Sequence, residues 1–206
     1  MGVGRFLASQ LRKPSGLSGR IIARILNRGN APMNDLTVKV LQLTPDDQVL
    51  EVGFGGGDLI KRMIPLMPRG RIVGVDFSPE MTAMCSKRFG ALVRAGRIDL
   101  CCAGADDLPC LPDAFTKACT VNTIYFWPDP IAPLREFWRT LRAGGRLVVC
   151  FNPRATAGKL PYTKHGFTLY DPPQVQHLLE EAGFRDIQMI PGSSRLGPFV
   201  CAAATK

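Results

Sequence analysis

Residues 49–57, Val-Leu-Glu-Val-Gly-Phe-Gly-Gly-Gly, constrain the fold more than any other segment, because an apolar run ends in an acid and then in a turn made largely of glycine. Val49, Leu50 and Val52 suit a strand buried on both faces, as in a parallel sheet. Gly53, Gly55 and Gly57 leave the turn without β-carbons, so a ligand can lie against bare backbone. From Asp58 the run Leu-Ile-Lys-Arg-Met-Ile has helical spacing, with Leu59, Met63 and Ile64 on one face. The unit reads strand, glycine turn, helix.

The turn is a poor match for a pyrophosphate. Dinucleotide sites use Gly-x-Gly-x-x-Gly, whereas Asp58 stands here where the third glycine would fall. Glu51 would repel a pyrophosphate but suits the ammonium of an amino-acid moiety. In this pattern the chain resembles the class I S-adenosylmethionine (SAM)-dependent methyltransferases, whose first motif, acid-x-Gly-x-Gly-x-Gly, stands as Glu51-Val-Gly53-Phe-Gly55-Gly56-Gly57. Arg71-Ile-Val-Gly-Val-Asp76 reads as a second buried strand ending in an acid, with Phe77-Ser-Pro-Glu-Met81 opening a helix. Asp76 lies 23 residues after Gly53, near the interval at which an acid takes ribose hydroxyls in nucleoside-binding α/β folds.

Ala103-Gly-Ala-Asp106-Asp-Leu-Pro109, after a strand Ile98–Cys102, is similar to the family segment in which an acid accepts from the adenine amino group and neighbouring backbone holds the ring edge. Asp107 competes with Asp106 for that role, because an Asp-Asp-Leu-Pro stretch also caps turns. Two positions depart from the family pattern: Gly104 replaces an acid, and Phe115-Thr116 stands for Phe-Asp. The segment from Ala118 through Asn122 to Trp127-Pro-Asp-Pro resembles the fourth strand and the loop over the methyl donor, and Leu141–Val149 the turn into the fifth strand. The resemblance covers residues 45–204, and its order matches the quinone-biosynthesis-like branch of small-molecule methyltransferases.

The resemblance implies an α/β, Rossmann-like, doubly wound sheet of seven strands in the order 3-2-1-4-5-7-6, with the last strand antiparallel and a helical cap at the N-terminus. It implies SAM as methyl donor, no metal, and cofactor contacts from Glu51, Gly53, Gly55, Gly57, Asp76, Phe77, Ala105, Asp106 and Asn122. Substrate-pocket residues are expected after the fourth and fifth strands: Trp127, Tyr162 and Tyr170, with Tyr125 and His165 as candidate catalytic groups. His165 is the candidate base because an unperturbed imidazole titrates near neutrality; its alternative is an ordinary loop histidine, and His177 reads as surface. Methyl transfer is a direct displacement, so alignment of the nucleophile and exclusion of water are the main demands. A lipid or lipid-like quinone acceptor, a non-catalytic SAM-binding scaffold and aminopropyl transfer are the alternatives. The last would need an acid-rich pocket in a chain of formal charge +9.

Elsewhere, Asn30-Ala-Pro32-Met opens a helix with Leu36, Val40 and Leu41 on its apolar side. Asp171-Pro-Pro-Gln opens another that stops at Gly183, and 184–191 with 199–204 read as a hairpin supplying an antiparallel edge strand. Residues 1–30 form a basic arm and residues 31–206 the methyltransferase domain. Arg5, Arg12, Lys13, Arg20, Arg24 and Arg28 precede the first acid, Asp35. Phe6, Leu7 and Leu11, then Ile21, Ile22, Ile25 and Leu26, recur at helical spacing around Pro14-Ser-Gly, which predicts two short amphipathic helices. The arm reads either as a cap over the cofactor cleft or as a segment for an anionic membrane surface or an acidic substrate.

No apolar run is long enough to span a bilayer, residues 1–12 lack a signal-peptide pattern, and the seven cysteines include no Cys-x-x-Cys. The expectation is a reduced, cytoplasmic setting, soluble or peripheral to a membrane, with a small-molecule substrate. Nucleic acid is disfavoured, because Asn122-Thr-Ile-Tyr125 lacks the prolines of the Asn-Pro-Pro-Tyr motif and no recognition domain is appended. Oligomeric state is left open.

Overall fold

The computed structural model describes residues 3–12 and 29–206. Seven strands form one sheet: β1 (Gln48–Val52), β2 (Arg71–Asp76), β3 (Ile98–Cys102), β4 (Phe115–Val121), β5 (Leu141–Phe151), β6 (Arg185–Ser194) and β7 (Gly197–Thr205). Their order across the sheet is β3-β2-β1-β4-β5-β7-β6, as the resemblance implies. β1 to β5 pair in parallel, while β7 runs antiparallel to both β5 and β6. The last strand is antiparallel as expected: β7 inserts beside β5, and the hairpin leaves β6 at the edge.

Helices cover both faces, and the strands alternate between two cores as a pleated strand must. Leu147, Val149 and Phe151 of β5, with Val200, Ala202 and Ala204 of β7, face a core that holds Leu134 and Phe137 of α6 (Ile131–Thr140) and Val175 and Leu179 of α8 (Pro172–Glu181). Val148, Cys150, Phe199, Cys201 and Ala203 face the other core. That core is built with Met33, Val40 and Leu41 of α2 (Ala31–Leu41), with Leu59, Ile60 and Met63 of α3 (Asp58–Met63), and with Met81 and Cys85 of α4 (Pro79–Arg88). Each of these fully buried aliphatic side chains stabilises the fold by about 1.5–3 kcal/mol relative to exposure. Cover on both faces is why β1 and β2 read as near-continuous apolar runs.

Local chemistry sets the boundaries. Pro65 supplies no backbone N–H, so α3 stops at Met63 and gives way to a 3-10 turn, Ile64–Leu66, one residue short of the expected helix. Ser78 caps α4 by accepting from the Met81 N–H at 3.4 Å, with Pro79 in the first turn. β4 starts at Phe115 instead of Ala118. Thr116, where the family has an acid, donates to Asp47 Oδ1 at 2.6 Å and accepts from the Gln48 N–H at 3.0 Å, tying this start to the entry of β1.

Two short helices, α5 (Gly90–Arg94) and α7 (Arg154–Ala157), complete the domain. The first arm helix is present as α1 (Val3–Arg12). It packs against the 3-10 turn Pro161–Lys164. The expected second helix, around Ile21 to Leu26, lies outside the described residues.

Candidate functional site

The C-terminal ends of β1, β2, β4 and β5 open into one cavity of about 1110 Å³, larger than the roughly 300–1,000 Å³ of a pocket for one drug-sized ligand. This is where open α/β sheets bind ligands, at the reversal of strand order between β1 and β4. Glu51, Gly53, Gly55, Asp76, Phe77, Ala105, Asp106 and Asn122 all line it.

The glycine turn is a close-packed wall. Gly53 has φ +78°, donates its N–H to Val75 O at 2.7 Å, and would place a β-carbon 2.2 Å from Thr123 Cγ2. Gly55 donates to Asp76 Oδ2 at 2.8 Å, and Ser78 N–H to Asp76 Oδ1 at 2.9 Å. Both Asp76 oxygens are thus anchored by backbone, each keeping a lone pair for a further donor. Burial raises the Asp76 pKa, opposed by these two hydrogen bonds. Gly57, by contrast, does not line the cavity; it starts α3 at φ +71° against the ring of Phe89.

Glu51 is 4 % exposed, and its Oε2 has no hydrogen-bond partner. Burial, then the negative charges of Asp76 and Asp58, push its carboxyl up to about 8. Asp58 differs: burial raises its pKa, but hydrogen bonds from Arg62 and Asn34 outweigh this and hold it below the usual range. A buried acid with an unpartnered oxygen, its ionised form disfavoured by burial and by neighbouring negative charge, is suited to give up its proton and pair with a cation beside a turn of bare backbone.

At the β3 end, Asp106 lines the cavity and Asp107 does not, which separates the two competing acids. The glycine at 104 has a local cause: a β-carbon there would lie 2.4 Å from Asp106 Oδ1, so the missing side chain leaves room for the Asp106 carboxylate.

Beyond β4 and β5 the wall turns aromatic. Tyr125, Phe126, Tyr162 and Phe167 line the cavity as one cluster, with Phe167 4.7 Å from Phe126 and 5.9 Å from each tyrosine, centroid to centroid. Trp127, Leu160 and Leu196 extend it, and Leu11 brings α1 to the wall.

Residues 49–145 match the family described as a methyltransferase domain. The uncharacterized methyltransferase YdaC of Bacillus subtilis (strain 168) is 26% identical over 186 residues, 90% of this chain and 98% of that protein. The ubiquinone/menaquinone biosynthesis C-methyltransferase UbiE of Geotalea daltonii is 32% identical over 113 residues, 54% of this chain and 48% of that protein. This chain thus matches about half the length of that relative. A SAM-dependent methyltransferase from Aquifex aeolicus has the same fold, with a TM-score of 0.73 at 17% identity over 89% of this chain and 97% of that one.

The matched methyltransferase domain and the relatives named as methyltransferases support a class I SAM-dependent methyltransferase. Its activity is methyl transfer from SAM to a small-molecule acceptor.

Three sequence expectations for this methyltransferase meet a different geometry. His165 is exposed and does not line the cavity; its ring packs at Gly4 of α1, because the turn Pro161–Lys164 ends by directing it outward. Tyr170 is drawn into the core beneath α8 with Val175 and Leu179, away from the cavity. Tyr125 does line it, but its hydroxyl donates toward Asn122 Oδ1 and Asn152 O and accepts from the Asn152 N–H. Burial pushes that phenol far above its ordinary range, which suits a structural hydroxyl and not a base. Among the described residues no histidine or lysine lines the cavity, and no group of three or more His, Cys, Asp or Glu is placed to hold a metal.

The cavity is also lined by residues that sequence reasoning did not select: Asn30, Asn34, Phe126, Asn152, Phe167 and Arg195. Phe126 and Phe167 lie inside the pocket segments already singled out by the sequence. Asn30, Asn34 and Asn152 carry no local signal, since a lone asparagine at a helix start or strand end reads as a cap.

Proposed function

We propose that the methyltransferase holds SAM along the ends of β1, β2 and β3 and methylates an apolar aromatic small molecule seated among Tyr125, Phe126, Tyr162 and Phe167. Bound there, SAM supplies an electrophilic methyl group on a sulfonium. The observation that carries this reading is Glu51, a cavity-lining residue whose buried carboxyl has one oxygen without a partner. Its ionised form would pair with the amino-acid ammonium, while the turn at Gly53 and Gly55 admits the cofactor close to the backbone. Asp76 would accept from the ribose hydroxyls, Asp106 from the adenine amino group, and Phe77, 41 % exposed, would cover the base.

The chain's part in the displacement is to align the acceptor and exclude water. Without histidine or lysine among the described lining residues, the acceptor is one that needs no strong side-chain base, such as an electron-rich hydroxylated ring. The names of the quinone-biosynthesis relatives support the same class, and the apolar, aromatic wall suits it. We further propose that the protein works in the cytosol and meets a lipid-like acceptor at an anionic membrane surface, which it touches with Arg5 and Phe6. Both are exposed on α1 beside the cavity.

Parallel calorimetric titration with SAM, S-adenosylhomocysteine (SAH) and NAD tests the cofactor. Saturable binding of the first two without NAD is the expected result. Binding of none of the three by folded protein would remove the reading. Turnover of quinols and phenols with release of SAH then tests the acceptor class.

A further inference from the structure

We propose that Asn152, a cavity-lining residue at the end of β5, reads the acceptor: its buried, unpartnered Oδ1 accepts a hydrogen bond from a hydroxyl carried by the acceptor ring. This rests on the cofactor and acceptor reading above and adds a specificity-determining residue to it.

Among the described residues, two buried side-chain polar atoms have no hydrogen-bond partner, Glu51 Oε2 and Asn152 Oδ1. Both belong to residues lining the same cavity. Buried polar groups are almost always paired, and an orphaned acceptor is unfavourable unless something meets it. Glu51 stands on β1, on the cofactor side. Asn152 directly follows β5, one strand beyond β4, on the side of the four aromatic rings. One orphan therefore serves each half of the cavity.

The orientation of the Asn152 amide follows from its neighbours. The Asn152 backbone N–H donates to the Tyr125 oxygen. The Tyr125 hydroxyl is 3.0 Å from Asn122 Oδ1, and Asn152 Nδ2 donates to that same oxygen at 3.1 Å. Asn122 is turned the other way, with its Nδ2 donating to Asn30 Oδ1 at 3.0 Å and to Met33 Sδ at 3.2 Å. Reversing Asn152 alone would set two carbonyl oxygens against each other. The chain Asn30, Asn122, Tyr125, Asn152 therefore fixes Nδ2 inward and leaves Oδ1 as the single unused acceptor. Asn122 holds its place with φ +58°, a left-handed conformation that asparagine tolerates better than most residues.

An acceptor-only atom set in an apolar, aromatic wall selects a group that carries hydrogen. A ring bearing O–H satisfies it; the same ring bearing O–CH₃ leaves it buried and unpaired, and sites of this kind discriminate strongly against the analogue that lacks the donor.

The test compares 1-naphthol with 1-methoxynaphthalene, titrated into SAH-loaded protein. Wild type should bind the naphthol at least about tenfold more tightly, the equivalent of one buried hydrogen bond. Asn152→Ala should abolish that preference in protein that still binds SAH, and Asn152→Leu, which also lacks an acceptor, serves as a second variant should the alanine protein fold poorly. A preference that survives both substitutions overturns the proposal, as does a wild type that binds SAH but shows no preference or binds neither probe. Failure of wild type to bind SAH would instead overturn the cofactor reading, and this proposal with it.

Discussion

Glu51 and Asp76 are both buried acids at strand ends, yet their surroundings prepare them for different partners. Asp76 has each oxygen held by a backbone N–H, so it stays in place with or without ligand. Asp76→Ala should weaken SAM binding by about 1–3 kcal/mol as its hydrogen bonds are lost. Asp76→Asn, which keeps the shape and one acceptor, should lose less; calorimetry on variants checked by thermal melting decides, and unchanged affinity in folded Asp76→Ala would remove the residue from the site. Glu51 lacks such anchoring, and its carboxyl is pushed up to about 8 in the folded protein.

An acid raised in the folded state keeps its proton there while the unfolded chain has lost it. Its contribution to stability is therefore complete below the unfolded value near 4.5 and disappears as pH rises through about 8. Apo wild type should lose thermal stability relative to Glu51→Gln between pH 5 and 9, a window set by those two values. A cationic ligand stabilises the ionised form, so SAM binding should tighten with pH over the upper part of that window and release a proton. Calorimetry in buffers of different ionisation enthalpy measures the release, and a pH-independent difference between the proteins would refute the assignment.

At the scale of elements, the glycine turn works because two strands' ends meet across it. Gly53 sits at φ +78° with Thr123, just past β4, where its β-carbon would be. Gly53→Ala meets two separate obstacles: a left-handed backbone costing roughly 1–2 kcal/mol for a residue with a β-carbon, and the clash with Thr123 Cγ2. Thr123→Ser removes only the second. The double variant should therefore recover part, and not all, of the stability and SAM affinity lost in Gly53→Ala; full recovery in melts and titrations would mean that the backbone conformation carries no cost.

The alternation of β5 and β7 between two cores and the caps at Ser78 and Pro79 were legible because they depend on residues close in sequence. The place of β7 came from the family resemblance and not from a local signal: a hairpin pairs β6 with β7, but which of them docks on β5 depends on the faces both offer to distant helices, and Phe199, Cys201 and Ala203 pack against the α2 side of the sheet.

At the scale of the molecule, the cavity joins β1, β2, β4 and β5 with α1, which lies far from them in sequence. Among the described residues no helix is long and apolar enough to cross a membrane. Surface attachment through α1 would be electrostatic and shallow, so the protein should co-sediment with phosphatidylglycerol vesicles but not phosphatidylcholine vesicles, and release at high salt. Phe6→Asp should abolish the binding; equal partition to both lipids, or to neither, would sink the membrane reading.

By itself the sequence determined the strand-turn-helix unit and the intervals between the candidate cofactor acids, because these rest on local spacing and on apolar periodicity, while the strand order followed from the family resemblance alone. The tertiary structure alone put Asp106 and not Asp107 on the cavity wall, moved His165 to the surface and Tyr170 into the core, and brought Asn30, Asn122 and Asn152 into one hydrogen-bonded chain. Those outcomes depend on which loop side chains meet across strands distant in sequence, and on how much water each loses there. Neither quantity exists until the sheet has formed.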